Sequence, residues 1–287
     1  MNPVEQFESE AQRRIQAALE AGCAAFSRLP ADPGQVRYKS AHNPVTDADR
    51  ILDEVLRRHL LQPGEAWFSE ESREQTGRPG RECMWIVDPL DGTREYLAGV
   101  PEWCLSVALA ENGRGVAAGI CNPITGEMFL GSRTTGVTYN GRKASVRTRQ
   151  GLEGALILAS RSEYGRGEWE PFRDAGFQIK PTGSVAYKLA LVATGLADAT
   201  WTLLPKHGWD VAAGAFLVEV AGGFVNTPEG APLNLDRPDA LVPGLVAGAR
   251  GLRQELLTLL AIAKRKAAEA IPSPPATPQG ASGGSSR

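Results

Sequence analysis

The residues best equipped for chemistry are carboxylates, and they arrive where apolar runs end. Trp85-Ile86-Val87-Asp88-Pro89-Leu90-Asp91-Gly92-Thr93 carries an apolar stretch straight into two aspartates, with a hydroxyl close behind. Pro89 fixes the backbone between the carboxylates, and Gly92 lets the chain turn tightly before Thr93. Hard divalent cations take clustered oxygen ligands, and a rigid loop at a strand end can aim two carboxylates and a carbonyl at one point. An Asp-Gly pair alone is an ordinary turn signal. The full Asp-Pro-Leu-Asp-Gly-Thr run is far more constrained and reads as a metal-binding loop.

Other polar stretches are ambiguous one at a time. Ser69-Glu70-Glu71-Ser72 follows the apolar triplet Ala66-Trp67-Phe68, so Glu70 is either a third carboxylate from a neighbouring strand or part of a solvated loop. Trp209-Asp210 opens an Ala- and Val-rich helix, where an aspartate is also a common cap. Asn43-Pro44-Val45-Thr46-Asp47-Ala48-Asp49 reads by itself as a helix start with acidic decoration. Gly183-Ser184 offers a hydroxyl and helix-start N–H groups to a cleft, or is a plain cap. Lys206 and His207 would share that rim, although His207 serves equally well as a structural histidine.

The elements that must position these groups follow from periodicity. Phe7, Ala11, Ile15, Ala18, Gly22 and Ala25 recur at helical spacing over residues 3–28, and Ile51, Leu52, Val55, Leu56 and Leu60 do so in a second helix opened by Thr46. A polar loop joins the two. Short strands are expected at 66–68, 84–87, 105–109, 115–120 and 127–130, set close together as antiparallel strands are, and a hairpin with Asn140-Gly141 at its tip. Beyond about residue 150 the texture alternates: a strand in Ala155–Ser160, helices from Val185 and Asp210, a strand in Ala199–Leu204, and a last helix at 250–269. We therefore expect a unit over 1–149 carrying the metal motifs, an α/β unit over 150–268, and a disordered Pro/Gly/Ser-rich tail over 269–287.

Bulk properties narrow the function. With 287 residues the chain can bury a full core, as one large domain or two packed ones. Thirty-one basic against 33 acidic residues leave no broad field for a nucleic-acid polymer. No apolar run approaches the roughly 20 residues of a membrane span, and the acidic start is unlike a signal peptide. Cys23, Cys83, Cys104 and Cys121 lack CxxC spacing and read as small buried thiols in a reducing, cytoplasmic setting.

Taken together and in order, Val-Thr-Asp-Ala-Asp, Ser-Glu-Glu-Ser, Asp-Pro-Leu-Asp-Gly-Thr, Gly-Ser-Val-Ala-Tyr-Lys and Trp-Asp-Val-Ala-Ala-Gly resemble the motif set of the inositol monophosphatase superfamily, across residues 5–262. The resemblance implies a layered α/β sandwich: an N-terminal antiparallel sheet unit with two long helices, a C-terminal mixed-sheet unit, and a metal cleft between them. It implies two or three Mg²⁺ ions held by Glu70, Asp88, the Leu90 carbonyl, Asp91 and Asp210. Thr93 would orient the attacking water, with Asp49 as its acidic partner and Glu70 beside it. Glu71 falls behind the ligands, and Asp47 is given no role. A phosphate monoester dianion repels hydroxide, and metal ions answer this by acidifying water and clamping the reacting oxygens. The N–H groups of Gly92 and Thr93 would steady the phosphate. Lithium sensitivity is expected, and a homodimer is common in the family.

The ester is harder to read. Asp-Gly-Thr-Arg-Glu-Tyr, Ser160-Arg161-Ser162 and the Ser184/Lys188 pair look like the 3′(2′),5′-bisphosphate nucleotidase branch, with Ser184 and Lys188 beside the substrate and Arg161 gripping a second phosphate or stacking on an adenine. Leu203 stands where inositol enzymes commonly place a glutamate, while Lys206–Ala212 looks partly inositol-like. The expected substrate is thus adenosine 3′,5′-bisphosphate, with inositol 1-phosphate or fructose 1,6-bisphosphate as alternatives. A catalytically silent phospholigand-binding relative would have lost a carboxylate or the threonine, and this chain keeps them all.

Overall fold

The computed structural model describes residues 2–30, 36–40, 43–72, 83–233 and 241–269. The chain opens with α1 (Pro3–Phe26), where the Asn2 and Glu5 side chains cap each other's backbone N–H groups. Its face of Ala11, Ile15, Ala18, Leu19 and Gly22 is buried, and a Cβ on Gly22 would collide with Leu105. The expected polar loop contains a small antiparallel ladder of β1 (Arg37–Ser40) and β2 (Asn43–Val45), too short and polar to show as periodicity. Helix α2 (Asp47–Leu60) buries Leu52, Leu56 and Leu60 as expected. Ile51, however, is exposed, and Asp53 turns inward in its stead to accept a hydrogen bond from Ser69 at 2.5 Å.

A seven-stranded sheet follows: β3 (Ala66–Ser69), β4 (Cys83–Asp91), β5 (Cys104–Glu111), β6 (Arg114–Asn122), β7 (Glu127–Ser132), β8 (Gly136–Tyr139) and β9 (Arg142–Ala144), in spatial as in chain order. Short helix α3 (Thr93–Leu97) lies between β4 and β5. Every pairing is antiparallel except β3 with β4, which corrects the uniform antiparallel expectation. Alternation of side chains reports a strand but not its direction, so that pairing was invisible beforehand. The Asn140-Gly141 hairpin forms as read, with both residues at positive φ.

The second sheet is mixed and five-stranded. It is built from β10 (Leu156–Ser160), β11 (Gln178–Thr182), β12 (Ala199–Thr202), β13 (Phe224–Asn226) and β14 (Leu245–Gly248), in the order β11-β10-β12-β14-β13. Helix α4 (Arg161–Gly165) leaves β10, α5 (Val185–Ala193) follows β11, and α6 (Gly208–Val220) follows β12. A final helix, α7 (Arg253–Glu269), contains the end of the last expected one; the disordered tail expected from residue 269 on falls, from 270, outside the described residues.

Layering explains the composition. Helices α1 and α2 cover one face of the large sheet, α5 and α6 fill the space between the two sheets, and α7 covers the outer face of the small one. A helix enclosed on all sides must be apolar all round, and α6 buries ten of its residues from Gly208 to Val218. Strands β5 and β6, covered on both faces, read as continuous Ala/Val/Leu runs for the same reason. Of the four cysteines, Cys104 is a buried free thiol and Cys83 a half-buried one. Contrary to the expectation of separate thiols, Cys23 and Cys121 meet sulfur to sulfur between α1 and β6, their Cα atoms 7.5 Å apart.

Candidate metal centre and the cleft around it

Strand β4 ends in a bulge. Its register with β5 slips between the pairs Asp88–Ser106 and Asp91–Cys104, so three steps on β4 face two on its neighbour. Such a bulge bends the strand and re-aims its side chains. Pro89 needs no ladder hydrogen bond, and Leu90 N–H turns back to Asp88 Oδ1 at 3.0 Å. Gly92 then adopts φ 102°, and a Cβ there would sit 2.9 Å from Trp103 Cβ, so only glycine allows this entry into α3.

Three elements deliver carboxylates to this point. Asp88 comes from the β4 end, Glu70 from just past the parallel neighbour β3, and Asp210 from the first turn of α6. Oxygens of these three lie within 4.8 Å of one another. Asp210 also accepts from His207 N–H at 3.0 Å, while the His207 ring stacks on Trp209 at 4.4 Å, which suits a structural histidine. Asp91 is held apart. Its Oδ2 accepts the Ser184 hydroxyl at 2.5 Å and Ala186 N–H at 2.6 Å, which ties β4 to the start of α5. Ser184 pays this role with a φ of 51°, rare for a residue with a side chain.

Thr93, expected to steer water, opens α3 beside Asp49. Thr93 Oγ1 lies 3.3 Å from both Asp49 Oδ1 and the Leu90 carbonyl. Asp49 is fixed by its other oxygen, which accepts Thr46 N–H at 2.7 Å and the Thr46 hydroxyl at 2.6 Å. Asp47 is exposed, and Glu71 is half-buried behind the cluster with its N–H on Ser69 Oγ.

Electrostatically the cluster is unfavourable as bare protein. Burial, then the charges of Glu70, Asp91 and Asp210, pushes Asp88 well above the ordinary carboxylate range. Burial, then Asp91 and Glu70, pushes Asp210 up to about 8. Asp91 is raised by burial although Ser184, Ala186 and Lys188 oppose the rise. Close, desolvated carboxylates of this kind call for cations. An all-oxygen set of carboxylates with the Leu90 carbonyl beside it fits a hard divalent ion and not a soft one.

Cations share the cleft with these carboxylates. A cleft of about 230 Å³ runs from the carboxylates to Arg94, Arg161, Lys188 and Lys206. Lys188 is almost fully buried, its ammonium 3.4 Å from the Thr182 carbonyl, and burial followed by repulsion from Lys206 brings its pKa down to about 8. Arg161 reaches the Glu102 carboxylate through Nη2 at 2.5 Å and Nε at 3.2 Å. Leu203 is exposed. Sequence reading missed Glu102, which lies in no stretch with a chemical pattern, and gave no role to Glu95 of Asp-Gly-Thr-Arg-Glu-Tyr, half-buried in the cleft and raised by burial.

Residues 3–267 match the description "Inositol monophosphatase family". The chain belongs to the inositol monophosphatase family. It is 34% identical over 256 residues to an inositol-1-monophosphatase of Rhizobium meliloti, covering 84% of this chain and 93% of the relative. It is 35% identical over 237 residues to the Nus factor SuhB of Xylella fastidiosa, covering 78% and 85%. The crystal structure of the extragenic suppressor protein suhB from Bartonella henselae superimposes with a TM-score of 0.75 at 33% identity, covering 86% of this chain and 96% of that one. This family consists of phosphatases acting on phosphoric monoesters and is generally metal-dependent, so the protein is a phosphomonoester hydrolase with the family's layered fold. No helix among the described residues is long and apolar enough to cross a membrane.

Proposed function

We propose that the protein is a Mg²⁺-dependent phosphomonoesterase whose preferred ester carries a second anionic group, as adenosine 3′,5′-bisphosphate does. The observation that carries this reading is the mixed charge of the cleft: besides the carboxylates of the metal cluster and Glu95 it is lined by Arg94, Arg161, Lys188 and Lys206. One phosphate is accounted for at the carboxylate wall through its metals. Four cations, with Glu95 among them, face the same space, and their surplus charge would be matched by a second anion on the substrate.

Glu70, Asp88, Asp91, Asp210 and the Leu90 carbonyl would hold the Mg²⁺ ions. When bound, these supply an acidified water and offset charge on the phosphoryl oxygens. The rest falls to the chain's own groups. The Thr93 hydroxyl donates to Asp49, which leaves its lone pairs turned to accept a hydrogen bond from the attacking water, whose second proton is the one to be removed. Glu70, at the edge of the cluster, is placed to take that proton. Gly92 and Thr93 flank the reacting phosphate, and Arg161 with Lys188 orients the distal group.

A second reading, inositol 1-phosphate, is favoured by the relatives named inositol-1-monophosphatase. Leu203 offers no side-chain acceptor for a ring hydroxyl. Phosphate release from adenosine 3′,5′-bisphosphate, inositol 1-phosphate and fructose 1,6-bisphosphate, with and without Mg²⁺, separates the readings. The bisphosphate nucleotide should give the highest kcat/KM; a higher value for inositol 1-phosphate overturns the preference, and no release from any ester indicates a silent phospholigand-binding protein.

A further inference from the structure

Glu102 lies in the loop that leads from α3 into β5, outside every motif discussed above. One of its oxygens, Oε2, accepts from Arg161 Nε at 3.2 Å, from Arg161 Nη2 at 2.5 Å and from Gly183 N–H at 2.8 Å. Arg161 and Gly183 line the cleft, whereas Glu102 does not. The carboxylate therefore stands behind the wall and braces two groups that face the substrate. Packing around it is tight: a Cβ on Gly183 would collide with Glu95 and come within 2.6 Å of the Glu102 carbonyl, and the same carbonyl lies 3.2 Å from a Cβ built on Gly92. The loop is thus wedged between the glycine that follows the metal loop and the glycine that precedes α5.

We propose that Glu102 is a positioning residue for substrate selectivity: it holds the Arg161 guanidinium against the cleft wall, where Arg161 meets the substrate's second anionic group. This rests on the proposed two-anion substrate. An arginine side chain is long and rich in rotamers, and fixing it in advance removes an ordering cost that the ligand would otherwise bear. Arg161 is partly exposed, at 42% of its side chain, so little else would keep it in one place; its remaining hydrogen bond, Nη2 to the Pro181 carbonyl, is a long 3.3 Å. Simple Coulomb reasoning gives the opposite sign, because removing a negative charge near an anion site should tighten anion binding. That opposition makes the sign of the effect decisive.

The test compares wild type, Glu102→Gln, Arg161→Ala and the double variant. KM and kcat are measured for adenosine 3′,5′-bisphosphate and for inositol 1-phosphate; where the bisphosphate is not turned over, its inhibition constant against inositol 1-phosphate hydrolysis is read instead. Glu102→Gln should raise the bisphosphate KM or inhibition constant about 3- to 10-fold, leave kcat within twofold, and leave the inositol 1-phosphate KM within twofold. In the Arg161→Ala background the glutamine substitution should change nothing further. A fall in the bisphosphate constant, no change, or an equal rise for both esters overturns the proposal. If Arg161→Ala alone leaves the bisphosphate constant unchanged, the two-anion reading fails and takes Glu102 with it; if Arg161→Ala weakens binding but Glu102→Gln does not, only the Glu102 role fails. Glu102→Asp, one methylene short of both donors, carries the same expectation and stands in should the glutamine variant not fold.

Discussion

The two walls of the cleft are built on different principles. Glu70, Asp88 and Asp210 leave the ends of packed strands and the first turn of a buried helix, and each is fixed by backbone that the core holds rigid. Arg161 and Lys206 sit on a short helix and on a loop, where a long side chain stays in place only if a neighbour holds it, as Glu102 holds Arg161; Lys188 alone is buried, on α5. Reaction chemistry needs oxygens placed to a fraction of an ångström, which rigid elements supply. Selectivity draws on charges carried by surface segments and on the groups that brace them, which can vary without disturbing the core. The contrast suggests that relatives of this fold can share one reaction while differing in ester.

Damage to the rigid wall should be the most severe. Asp88→Asn removes a buried oxygen ligand and should lower kcat by about three orders of magnitude with the fold retained; circular dichroism with phosphate-release assays checks both, and substantial residual turnover would break the metal assignment. Thr93→Ala, which deletes the hydroxyl held by Asp49, should lower kcat about 100-fold with little change in KM. On the opposite wall, Arg161→Ala should raise KM for a bisphosphate about 10-fold and for a monophosphate much less. Equal effects on the two esters would erase the division of labour between the walls.

The smallest expected effect is on stability. Asp88, Asp91 and Asp210 all have folded pKa values raised above the carboxylate norm, Asp210 to about 8. The native state therefore binds more protons than the unfolded chain between about pH 4 and pH 8, and stability must fall as pH rises through that window. Metal-free protein should melt on the order of 5 °C lower at pH 8 than at pH 5 from this cause. Mg²⁺ should remove most of that slope, and a slope of the opposite sign would show that these carboxylates are not raised in the folded protein.

How legible these features were depends on whether their cause is local. The hexapeptide Asp88–Thr93 could be read directly, since turn chemistry, strand end and ligands coincide in a few residues. Helices α1 and α2 were legible through their apolar faces, although the periodicity misplaced Ile51, because nothing in it shows that Asp53 has a buried partner in Ser69. The tie of Asp91 to Ser184 was not legible, because it spans 93 positions. Glu102 was illegible for the same reason, as its contacts lie 59 and 81 positions away. Strand direction, as in the parallel β3–β4 pair, has no signature in a single strand at all.

The helical layer between the sheets carries a further consequence. Helices α5 and α6 pack so closely that a Cβ on Gly214 would lie 2.5 Å from Leu189 Cβ, and α6 meets strands of both sheets. Neither half can be melted away without stripping one side of that helix pair. Denaturation should accordingly proceed as a single cooperative event, and a fragment cut between the sheets should not hold together by itself. Loss of the metals should therefore leave the two halves packed together, and an opening between them should be seen only with complete unfolding.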